Sequence, residues 1–225
     1  MTTRAGSATS PPRAVLFDFG GVFIDSPFAA VEIAAQRLGM EFATLTEVVF
    51  GSYDDDTDHP WHRLERGEVS FADARSQITA LAETAGHGSL DPIAVLVQLA
   101  GKGLVVRDFV IAAVERYRSA GMLTGIITNN IAEFGTTWRA LIPVDDLFDD
   151  VVDSSDVGIR KPDARIFSLA CERLGVEPSD AVFIDDHEGN VAGARAAGLR
   201  AVCCGYSVES THTAISELDA IVAGR

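Results

Sequence analysis

AVLFDFGG, residues 14–21, decides how the rest of the chain is read. The apolar run Ala14 to Phe19 carries one acid, Asp18, near its end, and Gly20-Gly21 then breaks it. Such a run reads as a buried strand meeting a turn. The same grammar returns downstream. LTGIIT (123–128) ends in Asn129-Asn130, AVFI (181–184) in Asp185-Asp186, and AVCC (201–204) in Gly205. Phe148 to Ser154 is a weaker strand candidate around Val151-Val152.

Helical patterns separate these strands. Asp108 is placed to cap a helix with Phe109, Val110, Ala113, Val114 and Tyr117 on its apolar face and Gly121 at its end. Pro162 suits the first turn of another, with Ile166, Phe167, Ala170 and Leu174 inward and Gly175 beyond. A third holds Val191, Ala194 and Arg195 and stops at Gly198. Strands alternating with helices predict an α/β fold, a Rossmann-like parallel sheet covered on both faces. Ligands of such sheets bind outside the carboxyl ends of the strands. The polar residues just named fall at those ends, so one shared site is expected.

Residues 26–103 break the alternation. They hold helical stretches (28–38, 44–50 and 71–85) and no convincing strand, which predicts an all-helical insertion, or cap. The expected organisation is a core of 14–25 and 104–225, the cap of 26–103, and a disordered polar tail of 1–13.

Composition narrows the class. The 225 residues are 47% hydrophobic and carry a formal net charge of −15. That charge repels phosphate backbones and anionic lipid, so neither nucleic acid nor a membrane is an expected partner. No apolar stretch is long enough for a signal peptide or a membrane span. The three cysteines, Cys171, Cys203 and Cys204, lack metal-ligand spacing and read as reduced thiols, which favours a cytoplasmic location. Oligomeric state is left open, a homodimer being one option.

The strand ends supply Asp18, Thr128 with Asn129, Lys161, and Asp185 with Asp186. Three clustered carboxylates repel one another and favour a hard cation with oxygen ligands, which suits Mg²⁺. A carboxylate beside Mg²⁺ and a lysine can attack phosphorus and form an aspartyl-phosphate. Thr128 and nearby N–H groups can hold the phosphoryl oxygens, and Lys161 can neutralise developing charge.

LFDFGGV, IITNN, RKPDARIF and FIDDHEGN, in that order, make the chain resemble the haloacid dehalogenase superfamily in its phosphatase-like branch. The style is that of the amino-terminal phosphatase domain of soluble epoxide hydrolases. The resemblance covers most of residues 14–205 and implies a Rossmann-like core with a helical cap after the first motif. It implies Asp18 as nucleophile and Lys161 as its bridging cation. Thr128 and Asn129 would bind a small phosphorylated substrate. Asp18, Asp186 and the Gly20 carbonyl would hold Mg²⁺, with Asp185 and Asn190 behind them. The family's phosphatases usually carry a second Asp two residues after the nucleophile, where this chain has Gly20. That Asp protonates the leaving group and later activates water, so a slow enzyme, a substrate with a good leaving group, or an acid delivered by the cap is expected.

Other features have plainer readings. Tyr53 to His59 (YDDDTDH) reads as a solvated acidic loop of the cap. His59, Trp61 and His62 are candidates for packing or for the site entrance, His187 for the site mouth, and His87 for a loop. Two alternative functions stay open: a metal-independent carbon–halogen hydrolase, and a catalytically weak protein that binds a phosphorylated ligand or a partner.

Overall fold

The structure, a computed structural model, describes residues 10–88, Asp91, Ile93 and 105–224. Its centre is a five-stranded sheet in the order β3-β2-β1-β4-β5. The strands are β1 (Ala14–Phe17), β2 (Leu123–Thr128), β3 (Asp150–Asp153), β4 (Ala181–Asp185) and β5 (Arg200–Cys203). All neighbours pair in parallel. The α/β class read from the sequence is therefore the observed one, and the weak candidate around Val151-Val152 is a true strand.

Side-chain alternation divides the core. Val15 and Phe17 pack with Val110, Val114, Tyr117, Ile126 and Leu218 on one face. Ala14 and Leu16 pack with Ile127, Phe167, Cys171 and Phe183 on the other. A sheet buried on both faces explains why its strands are short apolar runs without polar alternation.

β1 ends two residues earlier than its apolar run. Asp18 keeps one ladder-like bond, its N–H donating to Ile184 O at 2.9 Å, and Phe19 already accepts the turn bond from Phe23 N at 3.0 Å. The chain lays β2 and β3 on one side of β1, then crosses to lay β4 and β5 on the other. Opposite crossover directions leave a crevice above the β1 and β4 carboxyl ends.

Among the described residues the segment after β1 holds the helices α1 (Pro27–Leu38), α2 (Phe42–Phe50), α3 (Pro60–Glu65) and α4 (Phe71–Thr84). They share a small core of Phe28, Val31, Leu45, Val49, Phe50 and Ile78. α3 escapes periodicity analysis because six residues complete fewer than two turns. Its local signals are Pro60 in the first turn and His59, whose Nδ1 accepts from Trp61 N at 3.2 Å.

Three local expectations change. Pro162 is not in a helix; Asp163 caps the helix Ala164–Leu174, accepting from Arg165 N at 2.9 Å, and a short acceptor makes a better cap than an imide ring. Asp108 is the first residue of its helix, with Arg107 at the cap position. Arg13, assigned to a disordered tail, donates its N–H to Asp180 O and accepts from Leu123 N, and Pro12 is buried. The rest of that tail, 1–9, and the 103/104 boundary lie outside the described residues. Among the described residues no helix is long and apolar enough to cross a membrane.

Candidate active site

Two strand ends and one loop converge in the crevice. The turn after β1 brings Asp18, the end of β4 brings Asp185 and Asp186, and the loop before helix 164–174 brings Lys161. All four are at least nine-tenths buried. Lys161 Nζ lies 2.8 Å from Asp18 Oδ1 and 2.7 Å from Asp185 Oδ2. Oxygens of Asp18, Asp185 and Asp186 all lie within 4.8 Å of one another.

The acids differ in what surrounds them. Asp185 is fully buried and accepts from Lys161 Nζ, from His187 N at 2.8 Å, and from Asn190 Nδ2 at 3.0 and 3.1 Å. Asp18 accepts from Lys161 and, through Oδ1, from Phe19 N at 2.7 Å. Asp186 Oδ2 is buried with no hydrogen-bond partner, as is Asn190 Oδ1.

These surroundings set the proton affinities. Burial pushes the Asp18 carboxyl up from 3.8 to about 7, against the pull of Lys161 and with the help of Asp185. Burial, then Asp185 and Asp18, hold Asp186 well above the usual carboxylate range. For Lys161 burial works to lower the pKa, but the two flanking carboxylates outweigh it and the net shift is upward.

Gly21 explains half of the glycine pair. Its φ is +74°, and a Cβ there would collide with the Asp186 carboxylate. Arg107, a buried residue from beyond the insertion, donates to the Gly21 carbonyl and to Thr211 Oγ1. Gly20 is different. It has no positive φ, and a Cβ there would meet just Pro27 Cδ, at 3.8 Å.

A cavity of about 50 Å³ opens on this cluster. Asp18, Gly20, Asn129, Lys161, Asp186 and Asn190 line one side, and Pro27, Phe28 and Tyr53 of the insertion line the other. That is room for a few waters or one compact anion. Thr128, at the end of β2, is buried and does not reach the cavity wall. Asn129 does reach it, but its amide is committed to the backbone of Lys161: Oδ1 accepts from Lys161 N at 2.8 Å and Nδ2 donates to Lys161 O at 3.0 Å. The side chain therefore fixes where the lysine stands.

The donor set suits a hard divalent cation. Three carboxylates face a single lysine, every candidate ligand is oxygen, and two buried acceptor oxygens have no donor. Asp18, Asp186 and the Gly20 carbonyl are the groups that would hold it.

Sequence reasoning missed the insertion's share of the site. Glu65 of α3 is buried, and its Oε2 pairs with Arg160 Nε at 2.7 Å. Its Oε1 accepts from Trp61 Nε1 at 2.7 Å and from the Tyr53 hydroxyl at 3.1 Å. The backbone at Tyr53-Asp54 seats against Gly189, where a Cβ would lie 2.7 Å from Tyr53 O. The one available signal was Arg160 beside Lys161 in RKP. His187 caps the helix Glu188–Ala196 and stacks on Phe28 at 5.1 Å. His62 is fully buried, its Nδ1 accepts from Thr57 N at 3.0 Å, and burial followed by Arg160 pulls its pKa down to about 3. It is a neutral packing residue, and neither it nor His59 or Trp61 lines the cavity.

Known proteins share the sequence family and the fold. A family model described as haloacid dehalogenase-like hydrolase matches residues 12–198. Mouse acyl-CoA dehydrogenase family member 10 is 30% identical over 213 residues, 93% of this chain and 19% of that protein. A Mycobacterium tuberculosis phosphatase is 33% identical over 114 residues, 49% of this chain and 52% of that one. The chain thus spans about a fifth and about half of the length of these two relatives. A family enzyme from Bacteroides thetaiotaomicron, solved with magnesium and inorganic phosphate, superposes with a TM-score of 0.59 at 20% identity, covering 90% of this chain and 98% of that one. With a family match across most of the chain, the protein belongs to the haloacid dehalogenase-like hydrolase family.

Proposed function

We propose that the chain is a Mg²⁺-dependent phosphatase that hydrolyses a small phosphorylated metabolite through an aspartyl-phosphate on Asp18. The observation that carries this reading is Lys161 held between Asp18 and Asp185 beside Asp186, whose Oδ2 has no hydrogen-bond partner. Asp18 Oδ1 is engaged by Lys161 and Phe19 N, so Oδ2 is the oxygen left to attack phosphorus. Lys161 holds the nucleophile's orientation and offsets charge as the phosphoryl group arrives. Asp185 and Asn129 hold Lys161 from its head and its backbone. Bound Mg²⁺ would neutralise phosphoryl oxygens and relieve the repulsion among the carboxylates. The helical insertion acts as a cap, with Phe28 and Tyr53 excluding water and bulky substrates from the cavity. The free thiols of Cys171, Cys203 and Cys204 support a reducing, cytoplasmic setting.

A metal-free carbon–halogen hydrolase would use the same nucleophile, yet it would leave Asp186 Oδ2 buried without purpose. Assay of phosphomonoesters and 2-haloacids, each with Mg²⁺ and with excess chelator, separates the readings. Phosphate release that requires Mg²⁺ and disappears in Asp18→Asn is the expected result. Halide release that survives chelator would overturn it.

A further inference from the structure

Among the described residues, the cavity wall that the insertion supplies is aromatic and holds no free proton donor for a departing oxygen. Pro27, Phe28 and Tyr53 form that wall. Phe28 is one member of a ring cluster, 4.8 Å from Tyr53, 5.1 Å from His187 and 5.2 Å from Tyr206. The Tyr53 hydroxyl donates to Glu65, so the tyrosine offers the cavity its ring and not its acid. His187 turns Nδ1 to Gly189 N at 3.1 Å and packs against the Phe28 and Tyr53 rings without lining the cavity. Lys161 Nζ is held between two carboxylates, and the amides of Asn129 and Asn190 do not titrate. No cation from the insertion lines the cavity among the described residues; Arg160, which meets the insertion from the core, is buried against Glu65. Among the described residues the wall has no group to grip a second anion or a polyhydroxylated chain, and it has flat apolar faces instead.

We propose, on the basis of the phosphatase reading, that the substrate carries a flat unsaturated leaving group that departs as a stabilised anion: an aryl, enol or acyl phosphate. Asp18 Oδ2 forms a bond to phosphorus while the phosphorus–oxygen bond to the leaving group breaks. The bonding pair leaves on that oxygen as phenolate, enolate or carboxylate, and no proton is needed in the site. Water then attacks the phosphorus of the aspartyl-phosphate. The bond to Asp18 breaks, the carboxylate is regenerated, and the proton lost by water resides on the released phosphate.

The test is kcat/KM with Mg²⁺, which reports phosphoryl transfer to Asp18, across aryl phosphates of graded phenol acidity, acetyl phosphate and glycerol phosphate. The expected result is a fall of about 10²–10⁴-fold from the most acidic phenol to the alkyl ester, the contribution a general acid would otherwise make. Gly20→Asp, placed where the backbone and the space accept a side chain, should raise kcat/KM for the alkyl ester more than for the acidic phenol, so the gap between them narrows. At matched leaving-group acidity the aryl ester should show a lower KM than acetyl phosphate. Equal kcat/KM for alkyl and aryl esters would overturn the leaving-group proposal while leaving the phosphatase reading intact. No turnover of any phosphate, with no phosphoenzyme dependent on Asp18, would overturn both.

Discussion

Arg160 and Glu65 form an ion pair between the core and the helical insertion, Nε to Oε2 at 2.7 Å, with both residues buried. The next residue along the chain, Lys161, holds Asp18. One dipeptide therefore ties the insertion to the core with its first side chain and holds the Asp18 carboxylate with its second. Glu65 extends the tie through Tyr53, whose ring lines the cavity.

Glu65→Ala leaves Arg160 buried without its carboxylate. The loss should be about 3–5 kcal/mol, because an uncompensated buried charge costs more than the pair contributes. Urea denaturation of Glu65→Ala and of the double variant Glu65→Leu/Arg160→Met checks this. The double variant should recover most of the loss.

Asp186→Ala and Asp185→Ala should separate metal binding from scaffold. Asp186→Ala removes a carboxylate whose Oδ2 has no partner, so the metal-free protein should be no less stable while Mg²⁺ binding by calorimetry disappears. Asp185→Ala strips the bonds to Lys161, His187 N and Asn190 and should lower the melting temperature as well.

The two adjacent glycines should respond in opposite ways. Gly20→Ala should fold as the parent does, since its Cβ meets one atom at ordinary contact distance. Gly21→Ala forces a side chain into left-handed backbone and onto Asp186, so stability and Mg²⁺ binding should both fall.

The stability of the metal-free protein should fall with rising pH across the Asp18 titration. Its carboxyl is raised from 3.8 to about 7 in the folded state, so the folded protein holds a proton that the unfolded chain releases. That contribution is complete below pH 3.8 and is lost as pH climbs through about 7. The stability of the parent relative to Asp18→Asn should decline over this window. Mg²⁺, which binds the deprotonated site, should give a thermal shift that grows with pH. Thermal melts at four or five pH values, with and without Mg²⁺, measure both.

The sequence by itself determined the architecture and which acids stand together at the strand ends. Short apolar runs ending in acids or Asn appear where strands buried on both faces stop at a crevice. That pattern is local, so Asp18, Asn129, Asp185 and Asp186 could be placed at strand ends without coordinates. Lys161 was legible through the motif it sits in. Tertiary structure alone decided what each side chain does there. Asn129 reads as a ligand contact in sequence, yet its amide closes on the Lys161 backbone 32 residues away. Thr128 turns out to be buried off the cavity wall. Of two identical glycines, just one has a neighbour that forbids a side chain. The Glu65–Arg160 pair spans 95 residues and joins a helix too short for periodicity to a loop. Periodicity reports which face of an element is buried. Which charge meets which across that buried face depends on how separate elements dock, and a single chain's local pattern carries no record of it.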